Sequence, residues 1–137
     1  MFLRNGWYAA IWSNDLKHVP VGRTLLNDKV VLFRNASGQV AALEDCCCHR
    51  AAPLSKGEVA GEYLMCGYHG LKFDVHGNCV EVPGQTVIPR NAKVRDYPVC
   101  ERWGVVWIWM GDAAKADPAK ILDLAFQFTA GASVKEG

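Results

Sequence analysis

Excess charge of either sign is missing from this 137-residue chain, in which 15 Lys and Arg meet 14 Asp and Glu for a net charge of +1. So balanced a chain carries no electrostatic footprint for nucleic acid, and no basic stripe supplies one locally. Long apolar runs are missing too. Val105 to Met110 is the longest strongly apolar stretch, far short of the roughly 20 residues of a membrane-spanning helix. The opening Met-Phe-Leu-Arg-Asn-Gly has no apolar core of a signal peptide. A cytoplasmic protein with neither membrane nor nucleic acid as partner is therefore expected. There is no internal repeat, no low-complexity segment and little helical periodicity before residue 112. Histidine is scarce, with 4 in the chain. Besides His49 and His69 only His18 and His76 remain, each in a turn-like segment where a surface histidine is expected.

Cysteine, by contrast, is well represented, with 6 residues. A disulfide framework suits small secreted chains, and no export signal is visible here. Three of the cysteines, Cys46, Cys47 and Cys48, are consecutive, and disulfide geometry rarely accommodates neighbours. Cysteines beside histidines point to metal instead.

Short β-rich runs separated by turn residues recur along the chain. Trp7 to Trp12 reads as a first strand. Arg23 to Leu26 and Lys29 to Arg34 flank Asn27-Asp28, expected to be a two-residue hairpin turn. Asn35-Ala36-Ser37-Gly38 reads as a second turn, leading to a strand over Gln39 to Glu44. Residues 45 to 80 differ in character and hold most of the Cys and His. Within them Leu71 to Asp74 and Cys79 to Val82 read as strands around His76-Gly77-Asn78. Lys93 to Tyr97 and a heavily buried Val105 to Met110 complete the set. The expected fold is all-β: an antiparallel β-sandwich with a loop-built subdomain inserted near its middle. Trp7, Trp12, Trp103, Trp107 and Trp109 are assigned to packing. After Gly111 the composition turns Ala- and Lys-rich, and Pro118 is placed to start a short helix through Leu124. Residues 1–111 thus read as the domain and 112–137 as a C-terminal tail that could begin a further domain.

The pattern that carries chemistry is Cys47-x-His49, sixteen residues, then Cys66-x-x-His69. Zinc accepts two Cys and two His. A Rieske [2Fe–2S] cluster uses the same set, two thiolates on one iron and two imidazoles on the other. In that case each loop supplies one Cys and one His, which is the order found. Common zinc-finger patterns pair Cys with Cys and His with His. Cys46, Cys48, Cys79 and Cys100 read as small buried or half-buried residues, and Gly67, Gly70 and Pro53 as shapers of the loops.

The segments around these residues resemble a known family. Asp45-Cys46-Cys47-Cys48-His49-Arg50-Ala51-Ala52-Pro53-Leu54-Ser55 is similar to the first cluster loop of the Rieske non-heme iron aromatic oxygenases, and Cys66-Gly67-Tyr68-His69-Gly70-Leu71-Lys72-Phe73-Asp74 to their second. Asn5-Gly6-Trp7-Tyr8, Pro20-Val21-Gly22-Arg23, Val82-Pro83-Gly84-Gln85, and the stretch from Tyr97-Pro98-Val99 to Gly104-Val105-Val106-Trp107-Ile108-Trp109 resemble the vanillate O-demethylase group. The resemblance implies an N-terminal Rieske domain of the respiratory iron–sulfur-protein type, with a [2Fe–2S] cluster held by Cys47, His49, Cys66 and His69. It also implies a flavin-containing or iron–sulfur reductase as electron donor and a mononuclear-iron oxygenase domain as acceptor.

Two departures stand out. The residue between the first loop's ligands, usually proline in the family, is Cys48. The two-histidine, one-carboxylate iron site of the family's catalytic domain has no counterpart in the sequence. The expected role is therefore electron relay for an aromatic-compound monooxygenase or demethylase, without complete catalysis by this chain alone. A free-standing Rieske ferredoxin and a zinc-stabilised binding module are the alternatives. In high-potential Rieske proteins a disulfide clamps the loops, and Ser and Tyr hydroxyls donate to sulfur. The resemblance places Ala52 and Tyr68, and Leu71 and Phe73, at those positions. A midpoint near the low end for Rieske centres, roughly −150 mV, follows. The resemblance also places the imidazoles of His49 and His69 near the surface, as the electron exit.

Overall fold

The fold is that of a computed structural model, which describes residues 6–47, 53–67, 70–88 and 92–117. Eleven strands occur among them: β1 (Gly6–Trp12), β2 (Val21–Leu25), β3 (Asp28–Arg34), β4 (Val40–Glu44), β5 (Glu58–Ala60), β6 (Tyr63–Met65), β7 (Lys72–Phe73), β8 (Cys79–Glu81), β9 (Asp96–Tyr97), β10 (Val99–Arg102) and β11 (Val105–Met110). They form three sheets, ordered β1-β11-β10, β2-β3-β4-β9 and β5-β6-β7-β8, with every pairing antiparallel.

Strand alternation explains how the sheets stack. Successive side chains of a strand point to opposite faces. On β3, Val30 and Leu32 enter one core with Ala10, Ile11, Leu16, Val106, Ile108 and Met110, beneath the β1-β11-β10 sheet. Val31 and Phe33 enter a second core with Leu54, Leu64, Leu71 and Phe73, beneath the β5-β6-β7-β8 sheet. The unbroken apolar run of β3 therefore belongs to a strand covered on both faces, and Val30, Val31, Leu32 and Phe33 are all fully buried. The all-β sandwich holds, and the inserted subdomain forms a third layer on the far face of the central sheet.

The first hairpin turns one residue earlier than Asn27-Asp28. Leu25 pairs with Asp28, so the turn residues are Leu26 and Asn27, both at positive φ (50° and 71°). Such a turn matches the right-handed strand twist. Asn27 takes this conformation readily. Leu26 does not, but its side chain packs on the core, which offsets the strain. The pattern repeats at Trp103 (φ 53°) and Gly104 (φ 73°) between β10 and β11.

Two arginines tie layers together. The register of β1 on β11 slips between Ala9 and Ile11, and Arg23 Nε donates to the Ala10 carbonyl left at that bulge (3.2 Å). Arg34 donates to the carbonyls of Leu16 (2.8 Å), Ser13 (3.1 Å) and Gly38 (3.2 Å), and meets Glu101 of β10 with two more bonds (2.8 and 3.3 Å).

Only three of the five tryptophans are in a packed cluster. Trp7, Trp107 and Trp109 lie together on the outer face of β1 and β11, with the rings of Trp7 and Trp109 edge to face at 5.4 Å. Their indoles donate to the carbonyls of Asp117, Arg102 and Asp112, so residues 112–117 stay on this sheet. Trp12 and Trp103 are exposed (42% and 52%), because one sits at a strand end and the other on a hairpin tip. The helix expected from Pro118 lies outside the described residues. Among the described residues no helix is long and apolar enough to cross a membrane.

Candidate metal centre

The two loops with the candidate ligands leave the chain at different places and are brought together by the third sheet. The first starts where β4 ends. The backbone N–H of Asp45 donates to the Lys29 carbonyl of β3 (2.9 Å), which fixes the loop's entry to the central sheet. Its exit is a single turn of 3-10 helix, Leu54–Lys56, started by Pro53 and stopped by Gly57. Across the loop's base the Asp45 carboxylate accepts two bonds from Ser55, from the backbone N–H and from the hydroxyl, each at 2.7 Å.

The second loop is a tight reversal between β6 and β7. Cys66 N–H donates to the Leu71 carbonyl (2.7 Å), and Gly70 N–H donates back to the Cys66 carbonyl (3.0 Å). Gly70 has φ +77°, open to glycine at no steric cost. The turn at Pro83 leans on it, since a Cβ on Gly70 would come within 3.3 Å of the proline ring.

Gly57 joins the two loops. A Cβ built on it would overlap the Met65 carbonyl oxygen and approach the Gly67 nitrogen at 3.1 Å. A Cβ on Gly67 would in turn lie 3.0 Å from the Lys56 carbonyl oxygen. Backbone therefore packs on backbone at the root of both loops, immediately beside Cys66.

Cys47 and Cys66 consequently share one apolar cluster, with Val31, Phe33, Leu54, Leu64, Leu71 and Phe73. They are 2% and 1% exposed, and neither forms a disulfide. Two reduced sulfurs in a dry, preformed setting suit a centre that takes thiolate on one side. The remaining predicted ligands, His49 and His69, lie outside the described residues, as do Cys48, Arg50, Ala52 and Tyr68. Leu71 and Phe73, buried in that same cluster, carry no hydrogen-bond donor on their side chains.

The other described cysteines fit a packing role. Burial pushes the Cys46 thiol up, and Glu44 and Asp45 add to the shift. Burial likewise raises Cys79, against a smaller lowering by the bond to the Glu81 carbonyl. Both therefore hold their proton more firmly than an ordinary thiol, the opposite of a reactive cysteine. Cys100 is half-buried beside the tryptophans. His18 and His76 are exposed. Sequence reasoning missed the Asp45–Ser55 pair and the Gly57 contact. Asp45 and Ser55 are common residue types that form no motif of their own, and no local pattern marks a glycine needed for a contact eight residues away.

Comparison with known proteins assigns the fold to a family. Residues 6–98 match the family described as Rieske [2Fe-2S] domain. The chain is 51% identical over 124 residues to the toluene-4-sulfonate monooxygenase system iron-sulfur subunit TsaM1 of Comamonas testosteroni, covering 90% of this chain and 36% of that protein. It is 45% identical over 121 residues to a vanillate O-demethylase oxygenase subunit of a Pseudomonas species, covering 88% of this chain and 34% of that subunit. The crystal structure of dicamba monooxygenase superposes with a TM-score of 0.84 at 47% identity, covering 88% of this chain and 38% of that one. The chain thus spans little more than a third of the length of these relatives.

Proposed function

The chain belongs to the Rieske [2Fe–2S] domain family, whose cofactor is the Rieske-type cluster, and we propose that it relays single electrons between a reductase and a mononuclear-iron oxygenase site. Cys47 and Cys66 are the proposed ligands of one iron, and His49 and His69 of the other. When bound, the cluster supplies reversible one-electron chemistry. The observation that carries the reading is the burial of Cys47 and Cys66 in one core, on two loops whose roots pack backbone against backbone.

The chain's own residues perform three tasks in this scheme. The Asp45–Ser55 bonds and the Gly57 contact hold the roots of the loops in place by non-covalent contacts. Leu54, Leu64, Leu71 and Phe73 exclude water from the sulfur side. Lacking side-chain donors, Leu71 and Phe73 do nothing to favour additional negative charge there. The relatives named above are components of monooxygenase and demethylase systems. On that basis the acceptor is an oxygenase domain for an aromatic compound and the donor a flavin or iron–sulfur reductase, with the cytoplasm as the proposed location.

Electron paramagnetic resonance of the dithionite-reduced protein tests the reading. The low average g-value of a mixed His/Cys cluster is expected, and replacing His49 or His69 by Ala should abolish it. A colourless protein containing zinc, or the spectrum of an all-cysteine cluster, would overturn the assignment.

A further inference from the structure

We propose that Asp45 and Ser55 are positioning residues for the cluster ligands, a clasp that sets where Cys47 and Cys66 stand relative to each other. The inference rests on the proposed function, in that it presumes a cluster on those thiols.

Asp45 precedes Cys47 by two residues, and Ser55 lies on the far side of the same loop. Both oxygens of the carboxylate are used, one by the Ser55 backbone N–H and one by its hydroxyl, each at 2.7 Å. Bonds to an ionised acceptor at that length are the stronger kind. The clasp is seated on the central sheet through the bond from Asp45 N–H to the Lys29 carbonyl (2.9 Å). Gly22 of β2 roofs it, since a Cβ there would lie 3.1 Å from Ser55 Oγ and 3.3 Å from Asp45 Oδ2. The space over the pair is thus left open by a glycine on a third segment.

The position of Ser55 propagates along the chain. Two residues later Gly57 rests on the Met65 carbonyl, next to Cys66. One rigid path therefore runs from β3 through Asp45, Ser55 and Gly57 to the second loop. Fixing Ser55 fixes Cys47 from one end of that path and Cys66 from the other. At the positions where a disulfide would clamp the loops this sequence has Ala52 and Tyr68, so the first loop is closed on itself by the clasp and held to the second through the Gly57 contact.

The test uses the full-length chain with its cluster, in four forms: wild type, Asp45→Ala, Ser55→Ala and Asp45→Asn. The readouts are the rate of bleaching by an iron chelator, the g-values of the reduced protein and the melting temperature of the apoprotein. In Asp45→Asn the side-chain amide can accept from the Ser55 N–H and donate to its hydroxyl, so this variant keeps the geometry without the charge. Asp45→Ala and Ser55→Ala are expected to bleach on the order of tenfold faster (a factor that corresponds to about 1.4 kcal/mol) and to show displaced g-values. Asp45→Asn is expected to return both close to wild type. Wild-type bleaching and g-values in both alanine variants would overturn the clasp, and so would a lowered melting temperature with unchanged g-values. Should Asp45→Ala not fold, Ser55→Ala decides alone, because it removes one hydroxyl and leaves the carboxylate. A wild-type protein without the mixed-ligand signal overturns the parent reading instead, and the two failures are distinguishable.

Discussion

Replacing Gly57 by alanine should damage the site far more than the loss of one hydrogen for a methyl suggests. Gly57 has a negative φ of −89°, so the backbone conformation itself tolerates a side chain. The obstacle is the Met65 carbonyl oxygen, which the new methyl would overlap, with the Gly67 nitrogen at 3.1 Å behind it. Both obstacles are main-chain atoms and cannot swing away as a side chain would. Either loop must retreat by roughly an ångström in a region packed at crystal density. Overpacking of this sort costs about 1–3 kcal/mol, and the absence of any flexible neighbour places this case near about 3 kcal/mol. Retreat also strains the short β5–β6 hairpin, whose pairing begins at Glu58 and Met65.

Gly61→Ala is the control. Gly61 sits in that hairpin's turn at φ +63° with nothing near its missing Cβ, so its cost is the left-handed backbone alone, about 1 kcal/mol. Melting of the apoprotein should then fall by about 12 °C for Gly57→Ala and about 4 °C for Gly61→Ala, at roughly 4 °C per kcal/mol. Iron per chain after purification should be normal for Gly61→Ala and strongly reduced for Gly57→Ala, because the displaced carbonyl belongs to the residue before Cys66. Equal melting losses, or full iron content in Gly57→Ala, would refute the claim that this contact positions the second loop.

Three further outcomes are expected. Arg34→Met strands the carbonyls of Leu16, Ser13 and Gly38 together with Glu101, and should cost about 2–4 kcal/mol in urea unfolding; a loss below about 1 kcal/mol, the scale of an exposed ion pair, would show that water replaces the guanidinium. The bonds from Arg34 hold the Glu101 carboxyl below its ordinary range. The stability it contributes is complete above the unfolded value of about 4.3 and is lost as pH falls through the lower folded value, so Glu101→Gln should lower stability at pH 7 and converge on wild type once the carboxyl is protonated, flattening the acid limb below about pH 4.3. Redox titration should place the cluster's midpoint at roughly −150 mV, since Leu71 and Phe73 offer sulfur no donor, and a midpoint well above zero would contradict it.

Much of this fold is legible in the sequence, and what is legible has a physical cause. β1, β3, β4 and β11 were legible because their own side chains carry the signal of burial, alternating or continuous. β5, β6 and β10 were not. Glu58, Tyr63, Glu101 and Arg102 are exposed, and the short runs around them become strands only because a neighbour pairs with them. The first hairpin was expected to turn one residue later, at Asn27-Asp28, for a related reason, as the packing of Leu26 on the core outweighs its poor local preference. Cys47 and Cys66 stand out in the sequence as candidate ligands through spacing and company, since metal chemistry restricts residue type, and the structure buries both in one cluster.

The clasp and the glycine contact show where such reading stops. Asp45 with Ser55 is a pair of common residue types, and Gly57 with Met65 is a contact between backbone atoms. Neither leaves a periodicity or a motif of its own. Yet they fix the loops before any metal is bound, the clasp closing the base of the first loop and Gly57 seating that base against Met65 and Gly67 of the second. The central strand explains why this division of labour is stable. Val31 and Phe33 of β3 pack against the subdomain, Val30 and Leu32 against the opposite sheet, and Lys29 holds the clasp through its carbonyl. The strand that seats the metal-site loops is thus also the one buried on both faces, so a shift at the site must first disturb two cores. A centre that exchanges only electrons gains from that stiffness, since it needs no opening for substrate and loses rate whenever its ligands rearrange between oxidation states.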